Sequence, residues 1–371
     1  TMDIYDLKNV FKNTYDGKNV FITGHTGFKG SWLSFWLTQL GANVAGYSID
    51  IPTVPSLFEL LRLEKEINHI VGDVRDHVTL LNTVQTIKPD YIFHLAAQPL
   101  VGNSYDNPTD TMTTNIIGVN NILDAVRVIG KKCTTVVITS DKCYDNLDLE
   151  RGYHENDLLG GKDPYSASKG AAELVVKGYY HSFFKTQDLI RVATARAGNV
   201  IGGGDWAKDR IIPDCIRAWG KNKKVKIRHP HSTRPWQHVL EPLSGYLHLG
   251  QQLSENNNLN GESFNFGPLP KNNHTVLELI EQIVKQYYED NKMPYEIIDQ
   301  SSFHEAGLLK LDCTKAKEHL LWEANLNFEQ TSYFTAKWYS DYESVDVHDL
   351  TSKQIENYCD TAINKQLLWT K

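Results

Sequence analysis

Three groups of residues in this chain have the types and spacing to do chemistry. Tyr165 and Lys169 stand four apart in Tyr165-Ser166-Ala167-Ser168-Lys169, which puts both on one face of a helix, and Pro164 suits the start of that helix. An ammonium beside a phenol favours the phenolate, so the Tyr165 hydroxyl is expected to fall from its usual pKa of about 10 toward neutrality and serve as a base. Thr139-Ser140-Asp141-Lys142 closes an apolar run with a hydroxyl, an acid and an amine. Gly24-His25-Thr26-Gly27-Phe28-Lys29-Gly30 spaces its glycines as GxxGxxG, a turn whose backbone N–H groups and following helix N-terminus can approach a pyrophosphate. Each motif alone is common by chance. Together they offer a hydroxyl, an acid and a phenolate that can converge on one substrate carbon beside a dinucleotide.

The elements that must position them are legible in the apolar pattern. Lys18–Thr23 reads as a strand ending in the glycine turn, and Ser31–Leu40 has helical spacing, giving strand, turn and helix. Further strands are expected at Asn43–Ile49, His69–Val71, Tyr91–Ala96 and Thr135–Thr139, with a helix over Asn115–Ile129. Strands alternating with helices predict an α/β fold, a Rossmann-type doubly wound parallel sheet with both faces covered. After the break at Gly202-Gly203-Gly204 the pattern changes to isolated helices at Ile211–Trp219 and Val276–Tyr288. Residues 1–200 are therefore expected to be mainly the nucleotide-binding domain, and 201–371 mainly a smaller substrate-binding lobe, with segments interleaved. From about Phe328 onward the chain is aromatic and carries no identifiable chemistry.

Bulk properties narrow the class. At 371 residues, 41% hydrophobic and 22% charged, the composition is that of an ordinary globular protein. The net charge of −7 argues against a nucleic-acid partner, whose phosphates select a basic face. Five scattered cysteines without CxxC spacing suggest neither disulfides nor a zinc site, and the 14 histidines form no HExxH cluster, so no metal is expected. Thr1 ahead of Met2 is read as an addition to the natural start. The chain shows no opening basic-then-apolar signal and no apolar run of membrane-spanning length, so a cytoplasmic protein with no membrane partner is expected.

Around the glycine turn, Asp50 near the end of the second strand is the favoured acceptor for a ribose 2′-hydroxyl, which points to NAD over NADP, although Ser48 lies close by and Asp50 reads equally as a solvated loop carboxylate. Asp73-Val74 after the third strand is placed to meet an adenine edge. Leu95-Ala96-Ala97 after the fourth offers small residues where a dinucleotide must lie flat. His25 and Lys29 are unusual in such a turn, and they bear either on how firmly the cofactor is held or, for Lys29, on a solvated helix face.

The glycine turn, Ser140 and the Tyr165/Lys169 pair resemble the extended short-chain dehydrogenase/reductase family over about residues 18 to 320. The resemblance implies that Ser140 and Tyr165 hydrogen-bond a sugar 4-hydroxyl, that Tyr165 takes its proton while NAD takes the C4 hydride, and that Lys169 supports the tyrosine and binds the nicotinamide ribose. Acid–base residues directly after the hydroxyl are a mark of the nucleotide-sugar 4,6-dehydratases, which are hydro-lyases; simple 4-epimerases do not need them. Here they are Asp141 and Lys142, where dTDP-glucose dehydratases have Asp and Glu. With GHTGFKG, Pro55–Glu59, the run Arg196–Trp206 and the run Arg234–Val239, that lysine is similar to the CDP-glucose 4,6-dehydratases, which implies CDP-glucose as substrate. Asp141 is the natural acid for the departing 6-hydroxyl. Lys142 stands either as the C5 base or as a group that orients Asp141 or stabilises an enolate. By the same resemblance Asn199, Arg210, Ile211 and Arg234 face the substrate pyrophosphate and base, Gln98 faces the sugar, and the segment around His304 closes over the nucleotide. The family also implies a homodimer or homotetramer and a product that feeds bacterial dideoxy sugars of lipopolysaccharide O-antigen. The competing readings are a GDP-mannose or dTDP-glucose dehydratase, a 4-epimerase, and a non-catalytic NAD-binding regulator.

Overall fold

Strand β1 (Asn19–Thr23), the apolar run before the glycine turn, lies inside a seven-stranded parallel sheet in the computed structural model, which describes residues 7, 9–227, 229–269, 271–287, 295–298 and 309–371. The others are β2 (Asn43–Ser48), β3 (Asn68–Val71), β4 (Tyr91–His94), β5 (Cys133–Ile138), β6 (Ile190–Ala197) and β7 (Ser263–Phe266), in the order β7-β6-β5-β4-β1-β2-β3. Thr23 pairs with Tyr47 on one side and with His94 on the other. The strand order therefore reverses between β1 and β4, the switch point where open parallel sheets leave a crevice beyond their carboxyl ends.

Helices α1 (Phe28–Gln39), α2 (His77–Ile87), α3 (Gly118–Arg127), α4 (Pro164–Tyr179), α5 (Ile211–Trp219), α6 (Leu240–Glu255), α7 (Val276–Tyr287), α8 (Phe328–Asp341) and α9 (Val347–Asn364) surround the sheet. One face packs Phe21, Tyr47, Ile92 and Val137 against Leu80 and Val84 of α2, Ile122 and Val126 of α3, and Ala172 and Val176 of α4. The other packs Val20, Ile22, Phe93 and Val136 against Trp32 and Trp36 of α1, Leu243 and Leu247 of α6, and Trp338 and Tyr358 of α8 and α9. Two covered faces explain why the strands read as continuous apolar runs. Strand β6 is the exception, since Arg191, Thr194 and Arg196 interrupt its apolar pattern.

The aromatic C-terminal part completes the second face. Trp369 stacks on Phe11 and Tyr358 with centroids 5.2 and 5.7 Å away. Trp338 lies against Gly203 so closely that a Cβ there would come within 2.0 Å of its ring, and Tyr339 donates to the Asp205 carbonyl at 2.6 Å. The GGGDW loop is thus shaped by helices remote in sequence. Among the described residues no helix is long and apolar enough to cross a membrane.

Candidate active site

The glycine turn leaves β1 at the switch point. Gly24 has φ +78°, and a Cβ on it would lie 2.7 Å from the Ala96 backbone nitrogen; one on Gly30 would lie 2.0 Å from the Gly24 carbonyl. Neither position tolerates a side chain, so backbone lines the crevice between β1 and Leu95-Ala96-Ala97, while Gly27 caps α1 without a side-chain hydrogen bond, which leaves the first-turn N–H groups of that helix without a side-chain cap. Such a cradle fits a dinucleotide pyrophosphate. Thr26 donates to the Asp50 carbonyl at 2.6 Å, while the Asp50 side chain is exposed. Ser48 is buried and bonds His25 Nδ1 at 2.9 Å. His25 continues to His69 at 2.7 Å and meets Phe58 edge-on; burial, then His69, pushes its imidazole down to about 4. Asp73 is engaged by Arg75, which bonds both its carboxylate oxygens; burial raises this carboxyl, but the arginine outweighs it and holds it below the ordinary value. Val74 is buried against Gly118.

Helix α4, which carries Tyr165 and Lys169, begins where Asp163 accepts from the Ser166 N–H at 2.9 Å, with Pro164 in the first turn. A cap of this kind is worth roughly 1 kcal/mol. Tyr165 and Lys169 are both buried, with the ammonium 5.9 Å from the phenol ring centroid. The expected fall of the phenol toward neutrality is not what the surroundings produce. Burial pushes Tyr165 up to about 12, against a side-chain hydrogen bond shared with Ser140 that lowers it, and Asp141 adds to the rise. Burial likewise takes Lys169 down to about 8, with Cys143 and Glu173 opposing. Desolvation has the larger effect on both groups, because each loses more hydration than its neighbour's charge replaces.

Ser140 follows β5 in extended backbone and donates to Asp141 Oδ1 at 2.9 Å; its hydroxyl also accepts the Lys142 N–H at 3.2 Å. The Asp141 carboxylate points toward Gly198, where a Cβ would approach it to 3.1 Å. The Lys142 side chain is half-buried, and its ammonium has no partner among the described residues. Hydroxyl, acid, amine and phenol thus gather at the carboxyl end of β5.

Lys29 belongs to this cleft and not to a solvated helix face. Its ammonium lies 5.9 Å from the Tyr246 ring; burial, then the charge of Arg210, lowers it to about 7 against the pull of Asp141. Arg210 pairs with Asp205 at 3.0 Å and stands within electrostatic reach of Tyr165. Ile211 opens α5 beside it, and Asn199 is exposed between β6 and the short ribbon 200–201. Arg234 sits on a second ribbon, opposite His274, and donates to the Thr233 carbonyl. Gln98 spends its side chain on Leu100 and Thr111. His304 lies outside the described residues.

Three contributors escaped the sequence reading. Asn115, in a π-helical turn at Thr113–Ile117, donates to Ser168 at 2.8 Å and to the Gln98 carbonyl, and accepts the Gln98 N–H. Such turns are frequent at functional sites, but a one-residue bulge leaves no mark on a 3.6-residue period. His94 bonds Thr23 at 2.8 Å, while its Nε2 is buried without a partner among the described residues; burial, then Lys169, pushes it down to about 3. Glu173, one turn beyond Lys169, forms a buried ion pair with Arg196 at 2.8 Å.

A family model described as GDP-mannose 4,6 dehydratase matches residues 21–333. The CDP-glucose 4,6-dehydratase of Salmonella typhimurium is 46% identical over 352 residues, 94% of this chain and 98% of that protein. The dTDP-glucose 4,6-dehydratase of Haemophilus influenzae is 27% identical, covering 86% of this chain and 97% of its own. Among solved structures, the epimerase Mth375 of Methanothermobacter thermautotrophicus aligns with TM-score 0.75 at 24% identity, over 94% of this chain and 97% of that one. The dTDP-glucose 4,6-dehydratase of Bacillus anthracis, solved in complex with NAD, aligns with TM-score 0.71 at 22% identity, over 87% and 97%. These structures share the fold, and the sequence matches narrow it: the chain belongs to the GDP-mannose 4,6-dehydratase family, the nucleotide-sugar dehydratases of the extended short-chain dehydrogenase/reductases.

Proposed function

We propose that the protein dehydrates CDP-D-glucose to CDP-4-keto-6-deoxy-D-glucose and water. The observation that carries the reaction is the gathering of Ser140, Asp141, Lys142 and Tyr165 at the carboxyl end of β5, beside a glycine turn shaped for a dinucleotide. The likeness to the Salmonella typhimurium enzyme across nearly the whole of both chains supports CDP-glucose over other nucleotide sugars.

NAD, which Lys169 and the glycine turn at the switch point would hold, would supply a reversible two-electron acceptor for the hydride that leaves C4 and comes back at C6. Ser140 and Tyr165 bind the sugar 4-hydroxyl, and Tyr165 takes its proton. A ketone at C4 makes the C5 proton acidic. Lys142 removes it or holds the resulting enolate, while Asp141 protonates the 6-hydroxyl so that it leaves as water, and C5 regains a proton when hydride is added at C6. Lys169 supports Tyr165 and would hold the nicotinamide ribose. Gly24, His25, Thr26, Gly27, Phe28, Lys29 and Gly30 would face the pyrophosphate, Asp50 the adenosine ribose, and Asp73 and Val74 the adenine. Arg210, Ile211, Asn199, Arg234, Gln98 and the segment around His304 form the nucleotide-sugar side, in a lobe drawn mainly from residues 201–371. The working form is a cytoplasmic homodimer or homotetramer, and its product feeds dideoxy-sugar synthesis for lipopolysaccharide O-antigen.

The deciding experiment incubates the purified protein with CDP-glucose, dTDP-glucose, GDP-mannose and UDP-glucose, with and without NAD, and follows 4-keto-6-deoxy product by its absorbance in alkali. Turnover of CDP-glucose alone, with substoichiometric NAD sufficient, is the expected result. Reaction of another nucleotide sugar instead overturns the substrate, and no reaction with any of them overturns the catalytic assignment.

A further inference from the structure

The segment Ser140–Lys142 is suspended between two residues, Thr139 and Tyr144, and both are tied to one buried ion pair. Glu173 lies on α4 one turn past Lys169 and two past Tyr165. Its carboxylate accepts from Arg196 Nε at 3.0 Å and Nη2 at 2.8 Å, from Thr139 Oγ1 at 2.5 Å, from Thr194 Oγ1 at 2.8 Å and from Ser263 Oγ at 3.2 Å. On the far side of the segment, Arg196 Nη1 donates to the Tyr144 hydroxyl at 2.8 Å, and its guanidinium lies 5.0 Å from the Tyr144 ring centroid. Tyr144 in turn donates to Asn265 Oδ1 at 2.8 Å, and Asn265 Nδ2 donates to the carbonyls of Tyr153 and Asp312. Thr139, Tyr144, Glu173 and Arg196 are all buried.

A buried ion pair is a weak source of net stability, since its desolvation offsets its attraction, and its best-attested use is to specify one geometry. Here the geometry specified is that between two carriers of catalytic groups: the helix with Tyr165 and Lys169, and the turn with Ser140, Asp141 and Lys142. We propose that the Glu173–Arg196 pair is a positioning device, braced through Thr139 and Tyr144, that holds the elimination residues in register with the oxidation residues. The consequence for catalysis rests on the dehydratase reading. Oxidation at C4 draws on Tyr165 and Ser140, whereas elimination draws on Asp141 and Lys142 in the middle of the suspended turn, so loosening the brace slows elimination more than oxidation. Glu173 is also among the groups whose charge favours the Lys169 ammonium, which couples the pair to the phenol's partner as well.

The test uses Thr139→Val and Tyr144→Phe, each of which removes one hydroxyl brace and leaves the ion pair intact. The expected result is a fall in kcat of about 10- to 100-fold, with KM for CDP-glucose changed by no more than about twofold. In single turnover, reduced cofactor absorbance should build up and persist before product forms. Hydrogen–deuterium exchange, which needs no substrate, should quicken in residues 140–143 while α4 keeps its protection. Unchanged exchange in that segment overturns the brace. So do variants that merely melt earlier and keep the wild-type ratio of oxidation to elimination. Failure of the wild-type protein to turn over any nucleotide sugar would instead sink the dehydratase reading, and the exchange comparison would still decide whether the brace exists.

Discussion

Tyr165 and Lys169 form a buried pair displaced in opposite directions, the phenol up to about 12 and the ammonium down to about 8. The first proton the pair releases therefore comes off near pH 8, and the singly protonated state is shared between neutral amine with phenol and ammonium with phenolate. Only the second form can take a proton from a sugar hydroxyl. Activity governed by C4 oxidation is thus expected to rise with pH, reach half its maximum near pH 8 and level off above it, measured as kcat/KM across pH 6 to 9.5 in buffers of constant ionic strength; a flat profile would mean that the pair does not limit oxidation. Lys142, whose ammonium is unpartnered among the described residues, stands either as the C5 base or as a group that orients Asp141 or holds the enolate, and the first role predicts loss of C5 exchange when it is removed. Replacing it with methionine should leave C4 oxidation in place and cut deuterium incorporation at C5 from heavy water by about 100-fold or more, whereas retained exchange assigns the proton to another group. The turn lies close to its neighbours on the Gly198 side, where a Cβ would come within 3.1 Å of the Asp141 carboxylate and crowd it.

At the scale of elements, the C-terminal part is fastened to α6 through a buried carboxylate. Glu241 accepts the Asn325 N–H at 2.8 Å and the Tyr358 hydroxyl at 2.9 Å, as well as the Leu326 N–H. Burial raises its carboxyl from 4.5 to about 7 even so, the hydrogen bonds offsetting only part of the desolvation. A carboxyl raised on folding binds its proton more tightly in the native state. Its contribution to stability is complete below about pH 4.5 and is lost as the pH rises through about 7. The unfolding midpoint of the wild-type protein relative to Glu241→Gln should therefore be higher at pH 5 than at pH 8, by differential scanning fluorimetry; a difference independent of pH would show that Glu241 does not titrate in this window. The same fastening holds α8 and α9 over the GGGDW loop, so loss of the C-terminal helices is felt at Asp205 and its partner Arg210.

For the whole molecule, the outer side of α3 and α4 and the turns that flank them exposes several large apolar side chains among polar ones. Ile117, Leu174 and Phe183 are 44, 58 and 47% exposed. Exposed large apolar side chains on and beside the helix that carries Tyr165 and Lys169 are candidates for a covered surface. The double variant Leu174→Glu, Phe183→Ser is expected to convert the proposed homodimer or homotetramer to a lower-mass species in size-exclusion chromatography with light scattering. An unchanged mass would place the subunit contact elsewhere.

The sequence by itself determined the strand–turn–helix opening, the parallel sheet and the Tyr165/Lys169 face, because each rests on a local period or on a glycine whose side chain has no room. It also marked Ser140, Asp141 and Lys142, which are contiguous. Strand β6 was less legible, since Arg196 looks like a surface residue until Glu173, 23 positions away, is seen to neutralise it. Tertiary structure alone decided the protonation balance of the phenol and its lysine, which depends on how much water the fold removes from each. It placed Lys29 in the cleft, put Asn115 against Ser168 of α4, and set the C-terminal aromatics on the GGGDW loop. Each of these depends on contacts between residues far apart in the chain, and no period or spacing records them.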